Sequence, residues 1–172
     1  MTRGSGHPPL ILGIDPGSQR TGFAVVGRMG RRLFVADSGV ITLPGGREQL
    51  CRRLGRLQEA LEQVLDRTAP AAVAVEDIFT ARNARSALAL GQARGVVLGV
   101  VGRRELPLFA YPPATVKQAV SGYGRADKQQ IQRMVQALLS LGRLPGPDEA
   151  DAMAIAICHA MRTGANGAEV NR

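Results

Sequence analysis

Four acidic residues occupy positions where an acid is costly or where spacing favours shared work: Asp15, Glu76, Asp148 and Asp151. Asp15 follows the apolar run Leu10–Ile14, and Glu76 follows Ala-Val-Ala-Val, so each reads as the last residue of a strand. A charge within a sheet is expensive unless a cation or hydrogen bonds hold it. Asp148 and Asp151 open a helical segment at a spacing of three, which puts both on one helix face. Carboxylates gathered at one point repel each other, and divalent cations relieve that repulsion. All-oxygen donors suit magnesium, with manganese as a substitute. Two such ions, about 3.5–4 Å apart, clamp the attacking water and the leaving oxygen of a phosphodiester. Each acid also has an ordinary reading. Asp15 starts an Asp-Pro-Gly turn, Glu76 ends a strand in solvent, and Asp148 suits the first turn of a helix. Asp151 resists that reading, because Ala150, Ala152, Met153, Ala154 and Ile155 around it are apolar and mostly small.

The remaining acids are unremarkable in pattern. Glu48, Glu59, Glu62 and Asp66 fall on polar helix faces, and Asp127 with Gln130 forms a capping-box pattern. Glu149 turns about 100° from Asp148 and is expected to face solvent. Asp77 is expected to point to the opposite sheet face from Glu76, by strand alternation. The histidines, His7 and His159, form no cluster with the cysteines, and His159 reads as structural. Cys51 and Cys158 match no metal or redox spacing and read as buried thiols of a cytoplasmic protein.

The acids need elements to position them. Leu10–Asp15, Gly22–Val26 and a stretch within Arg32–Leu43 read as three strands with short loops, hence an antiparallel meander. Leu50, Leu54, Leu57, Leu61, Val64 and Leu65 recur at helical spacing before Pro70. Ala71–Glu76 is a strand apolar throughout, as in a central strand covered on both faces. A long helix over Asn83–Val101, a strand over Leu106–Tyr111, and helices over Lys128–Leu141 and Asp148–Met161 follow. This order predicts an α/β fold: a mixed five-stranded sheet, three antiparallel strands then two parallel, with helices on both faces. Residues 1–9 read as a flexible N-terminal extension, 10–163 as one domain and 164–172 as a flexible C-terminal tail.

Gly91, Gly95 and Gly99 stack on one side of the long helix, whose other faces carry Leu88, Leu90, Val96, Val97, Leu98, Val100 and Val101. Glycine costs a helix about 1 kcal/mol relative to alanine, so close packing is expected there. Its partner is either the protein's own sheet or a second copy of the chain.

Composition narrows the partner. Among 172 residues, 22 are Lys or Arg and 14 Asp or Glu, a net charge of +8, which favours a polyanion. A membrane is disfavoured: the longest apolar stretch, Gly95–Gly102, is too short to span one, and no basic amphipathic helix carries large apolar residues. The first residues lack the apolar core of a signal peptide. Among the 22 cations only Lys117 and Lys128 are lysine, which marks those two positions.

Several strings resemble the RuvC family of Holliday junction resolvases, within the ribonuclease H-like superfamily. They are Ile11-Leu-Gly-Ile-Asp-Pro-Gly-Ser-Gln-Arg-Thr-Gly22, Val75-Glu-Asp-Ile-Phe79, Asn83 with Ser86-Ala-Leu, Leu90-Gly-Gln-Ala-Arg-Gly95, Val116-Lys117, Lys128, and Asp148 to His159. Gly-Ile-Asp-x-Gly alone is weak, being shared with actin-like proteins; Leu-Gly-Gln-Ala-Arg-Gly together with Asp-x-x-Asp-Ala is specific. The resemblance implies a ribonuclease H-like fold and a magnesium-dependent endonuclease that nicks four-way DNA junctions symmetrically. It implies that Asp15, Glu76, Asp148 and Asp151 are metal-binding catalytic acids, that Lys117 and Lys128 assist near the scissile phosphate, and that Phe79 stacks on a base. It also implies RuvA–RuvB as partners. Arg82, Arg85 and Arg125 are DNA-backbone candidates by their place near these motifs. Symmetric nicking favours a two-fold homodimer.

Three alternatives remain. One is a ribonuclease H-like nuclease with another substrate. Another is an actin-like phosphotransferase binding ATP at Gly13–Gly17, for which one domain is too small; no nucleotide cofactor is expected. The last is a junction-binding protein that does not cut.

Overall fold

The computed structural model describes residues 8–43, 49–77 and 84–165. The terminal segments expected to be flexible therefore lie almost wholly outside the described residues. The elements are β1 (Leu10–Asp15), β2 (Arg20–Met29), β3 (Arg32–Thr42), α1 (Leu50–Thr68), β4 (Ala72–Glu76), α2 (Ala84–Arg103), β5 (Leu108–Tyr111), α3 (Pro113–Ser121), α4 (Lys128–Leu138) and α5 (Pro147–Ala165).

The sheet order is β3-β2-β1-β4-β5. β1 pairs antiparallel with β2, as β2 does with β3, while β4 runs parallel to β1 and β5 parallel to β4. This is the mixed sheet the sequence predicts. Strand alternation splits the core in two. Leu12, Ile14, Val25, Val73 and Val75 face α1 and α2, whereas Ile11, Ala24, Val26 and Ala74 face α3, α4 and α5.

α5 lies closest to the sheet, and its alanines allow it. A β-carbon on Gly13 would collide with the backbone of Ala152 and Ala156, and one on Gly22 with the carbonyl of Asp148. Glycine on the strands and alanine on the helix thus bring backbone to backbone. α4 starts with the expected capping box: Asp127 Oδ1 accepts from the Gln130 amide at 2.8 Å, and Gln130 Oε1 from the Asp127 amide at 3.1 Å.

Three expectations are corrected. Residues 113–121 form a helix that the sequence reading passes over; Pro113 stands at its first position, where a missing N–H costs nothing. Cys51 is exposed rather than buried, because it lies in the first turn of α1, before the stretch that packs on the sheet; Cys158 is buried as expected. The glycine face of α2 does not pack on its own sheet. A β-carbon on Gly91, Gly95 or Gly99 would meet nothing within 4 Å, and Leu88 beside them is 64% exposed. The helix buries Ala93, Val97, Val100 and Val101 instead.

Candidate active site

Parallel pairing of β1 with β4 aligns Ile14 with Val75, so the next residues, Asp15 and Glu76, leave the sheet side by side at one edge. Both point to the face covered by α5. Asp77 continues the alternation to the other face, where it pairs with Arg94 of α2 at 3.6 Å. Arg94 also donates to the backbone carbonyl of Glu76, so α2 pins the end of β4 from behind. That contact gives the Leu-Gly-Gln-Ala-Arg-Gly string a physical task which the sequence reading does not assign.

α5 supplies the other two acids. Because Gly22 pairs with Asp15 across the β1–β2 ladder and also underlies Asp148, the first turn of α5 is held over the end of β1. Asp151, one turn on, faces the same edge. Electrostatics register the convergence. Burial, then the charges of Asp151, Glu76 and Asp148, push the Asp15 carboxyl up to about 7, while Lys128 pulls it down. Glu76 is raised by burial and then by Asp151, against Lys117 and Lys128. Asp151 is raised by burial, against the nearby charge of Lys128. Asp15, Glu76 and Asp151 thus each feel the charge of a neighbouring acid, with Lys128 opposing it at all three and Lys117 at Glu76 and Asp151.

Side-chain cations meet part of this charge. Lys128 Nζ, at the start of α4, stands 3.7 Å from Asp151 Oδ2. Arg20 Nε, opening β2, donates to Asp148 Oδ2 at 2.6 Å. The sequence reading does not single out Arg20, though its place five residues after Asp15 in a tight hairpin could have flagged it. Among the described residues, no group of three His, Cys, Asp or Glu side chains is closed to the spacing of a finished metal shell. The donor set fits hard divalent cations: all four acids offer oxygen alone, and burial with a neighbouring acid's charge holds Asp15, Glu76 and Asp151 above the ordinary carboxylate range.

Glu149 is a correction. It is buried, 6% exposed, rather than solvent-facing, because β3 and the segment before α5 close over that side of the helix. His159 behaves as the structural residue expected. It is buried, its Nδ1 shares a hydrogen bond of 2.7 Å with the Tyr111 hydroxyl, and burial lowers its pKa. Arg85 is exposed in the first turn of α2 and, with Arg53, Ser18 and Gln19, lines a cleft of about 280 Å³. Arg125 is exposed between α3 and α4. Phe79 and Arg82 lie outside the described residues, as does His7.

Asp15, Glu76, Asp148 and Asp151 are each half-buried at this edge. A larger cavity of about 650 Å³ lies at the far end of the sheet, lined by Pro8, Pro9, Leu10, Phe34, Ala36, Thr68, Ala69 and Ala71, and carries no acid or base. No described helix is long and apolar enough to cross a membrane.

Comparison with known proteins decides the kinship. The sequence model described as "Crossover junction endodeoxyribonuclease RuvC" matches residues 11–159. The chain belongs to the RuvC family. A RuvC from Anaeromyxobacter dehalogenans is 49% identical over 154 residues, 89% of this chain and 81% of the relative. One from Moorella thermoacetica is 49% identical over 154 residues, 88% and 90% of the two chains. The solved RuvC of T. thermophilus in complex with Holliday junction substrate superposes with a TM-score of 0.84 at 36% identity, covering 91% of this chain and 96% of that one. The yeast mitochondrial Holliday junction resolvase shares the fold at a TM-score of 0.65 and 13% identity. RuvC-family nucleases are metal-dependent.

Proposed function

We propose that this protein is a structure-specific endonuclease that resolves four-way DNA junctions by paired symmetric nicks, in the cytoplasm, during recombination and repair. The convergence of Asp15, Glu76, Asp148 and Asp151 at one edge of the sheet carries the reading, together with the family kinship.

Asp15, Glu76, Asp148 and Asp151 would hold two magnesium ions, for which manganese could substitute. When bound, these ions supply Lewis acidity toward the phosphodiester and lower the pKa of the attacking water. The acids orient that water for in-line displacement, which leaves a 5′-phosphate and a 3′-hydroxyl. Lys117 and Lys128 add positive charge where the scissile phosphate's charge grows. Lys128 reaches the site from the capped start of α4, so its stem begins from a fixed point. Arg85 and Arg125, both exposed, grip the DNA backbone, and Arg82 and Phe79 serve as backbone and base contacts.

Two nicks of similar polarity require two sites related by a two-fold axis. The exposed Leu88 and Leu98 beside the uncovered glycine row of α2 support a homodimer through that face. RuvA–RuvB are the partners proposed from kinship.

Cleavage of labelled four-way junctions, linear duplexes and RNA–DNA hybrids in magnesium tests the substrate. Paired nicks confined to the four-way junction support the proposal. Equal cutting of duplex or hybrid would make the protein a general nuclease of this fold.

A further inference from the structure

Glu149, 6% exposed, is the least exposed acid among the described residues, and the mechanism above does not use it. It lies between Asp148 and Ala150 in the first turn of α5. Its Oε1 accepts from the Ser38 hydroxyl of β3 at 2.7 Å. Arg143 Nη2 donates to both its oxygens, at 2.9 and 3.0 Å. Its Oε2 also accepts from the Gly146 amide at 3.4 Å. The last contact is half of a capping box, in which a helix's third residue reaches back to the N–H preceding its first turn.

The pair with Arg143 is one-sided: the Glu149 side chain is 8% exposed and that of Arg143 is 70% exposed. The carboxylate has left water and the arginine lies over it. An acid placed there only to complement the helix dipole gains that benefit in solvent, so burial needs another reason. The bonds supply one. They tie the first turn of α5 to β3 and to the segment leading into it, while Gly22 leaves the same turn no steric clearance from β2.

We propose that Glu149 is a positioning residue of the nuclease site, fixing the first turn of α5 on β3 and thereby setting where Asp148 and Asp151 stand. The proposal rests on the reading of those two acids as metal-holding. Outer partners that orient ligand-bearing groups are worth about 10–100-fold in metal affinity or activity, the range expected for Glu149.

The test is manganese binding by the full-length protein without DNA, read by electron paramagnetic resonance, beside kcat and KM on a four-way junction. Glu149→Ala should weaken manganese binding and lower kcat by about tenfold or more each, leaving KM for the junction unchanged. Glu149→Gln, which keeps a side-chain oxygen for Ser38 and Gly146, should recover part of both. Ser38→Ala should move both in the same direction by less. Leu61→Ala, on the other sheet face, should lower Tm without moving manganese affinity. Loss of Tm in Glu149→Ala with manganese affinity and kcat intact would overturn the proposal. If Glu149→Ala does not fold, unchanged affinity and kcat in both Glu149→Gln and Ser38→Ala would overturn it. Asp151→Asn separates the two claims: if it binds manganese normally, the metal-site reading fails; if it alone loses binding, only the Glu149 proposal fails.

Discussion

The backbone carbonyl of Asp148 rests on Gly22 with no room for a β-carbon between them. Gly22 is also the ladder partner of Asp15. One residue without a side chain therefore sets the height of a helix-borne acid above a strand-borne acid. Gly13 repeats the arrangement one turn along α5, beneath Ala152 and Ala156.

Gly22→Ala should force α5 away from the sheet and cost about 1–3 kcal/mol, the range for overpacking a tight contact. Urea unfolding measures that cost, and junction cleavage under conditions where the variant stays folded should still fall. Gly55→Ala is the contrasting change. It lies in α1 with open space around it, and should stabilise by up to about 1 kcal/mol. Equal effects of the two substitutions would show that the close approach of α5 carries no weight.

Asp15 predicts a pH dependence of fixed sign. Its folded pKa, about 7, lies above the ordinary 3.8. A raised acid contributes stability below its unfolded pKa and loses it as pH rises through the folded one. In a chelator, this group should make the protein less stable at pH 8 than at pH 5, and Asp15→Asn should raise Tm at pH 8. Protons also compete with metal for the carboxylate. The magnesium concentration for half-maximal cutting should therefore climb as pH falls below about 7. A requirement independent of pH would place the essential metal away from Asp15.

The uncovered face of α2 predicts assembly. Leu88 and Leu98 are 64% and 40% exposed on a helix whose glycine row meets nothing. Leu98→Arg should convert a dimer to a monomer in sedimentation velocity at micromolar concentration, with Tm little changed. A wild-type monomer at that concentration would remove this interface from the account.

Much of this was legible because burial leaves a pattern in sequence. Apolar alternation and helical spacing locate the strands and α1, α2, α4 and α5 within a few residues. Strand ends after apolar runs single out Asp15 and Glu76. Their adjacency was legible only conditionally, since β1–β4 pairing joins residues some sixty positions apart. α3 was missed because Pro112-Pro113 reads as a break and only Val116 and Val120 are buried in its nine residues. Glu149 was misread because the periodicity of one helix does not reveal what folds over it, in this case Ser38 and Arg143. Arg20 and Arg94 were missed for a related reason: in an arginine-rich chain, composition does not distinguish a positioning arginine from a solvated one.

The most direct test is cutting of a labelled mobile four-way junction in magnesium by wild type, Asp15→Asn and Asp151→Asn, with binding measured in parallel. The account predicts paired symmetric nicks by wild type, and junction binding without cutting by both variants. Cutting that survives both substitutions would contradict the assignment of the carboxylate cluster. Tight binding with no cutting by wild type, even in manganese, would contradict the nuclease reading itself.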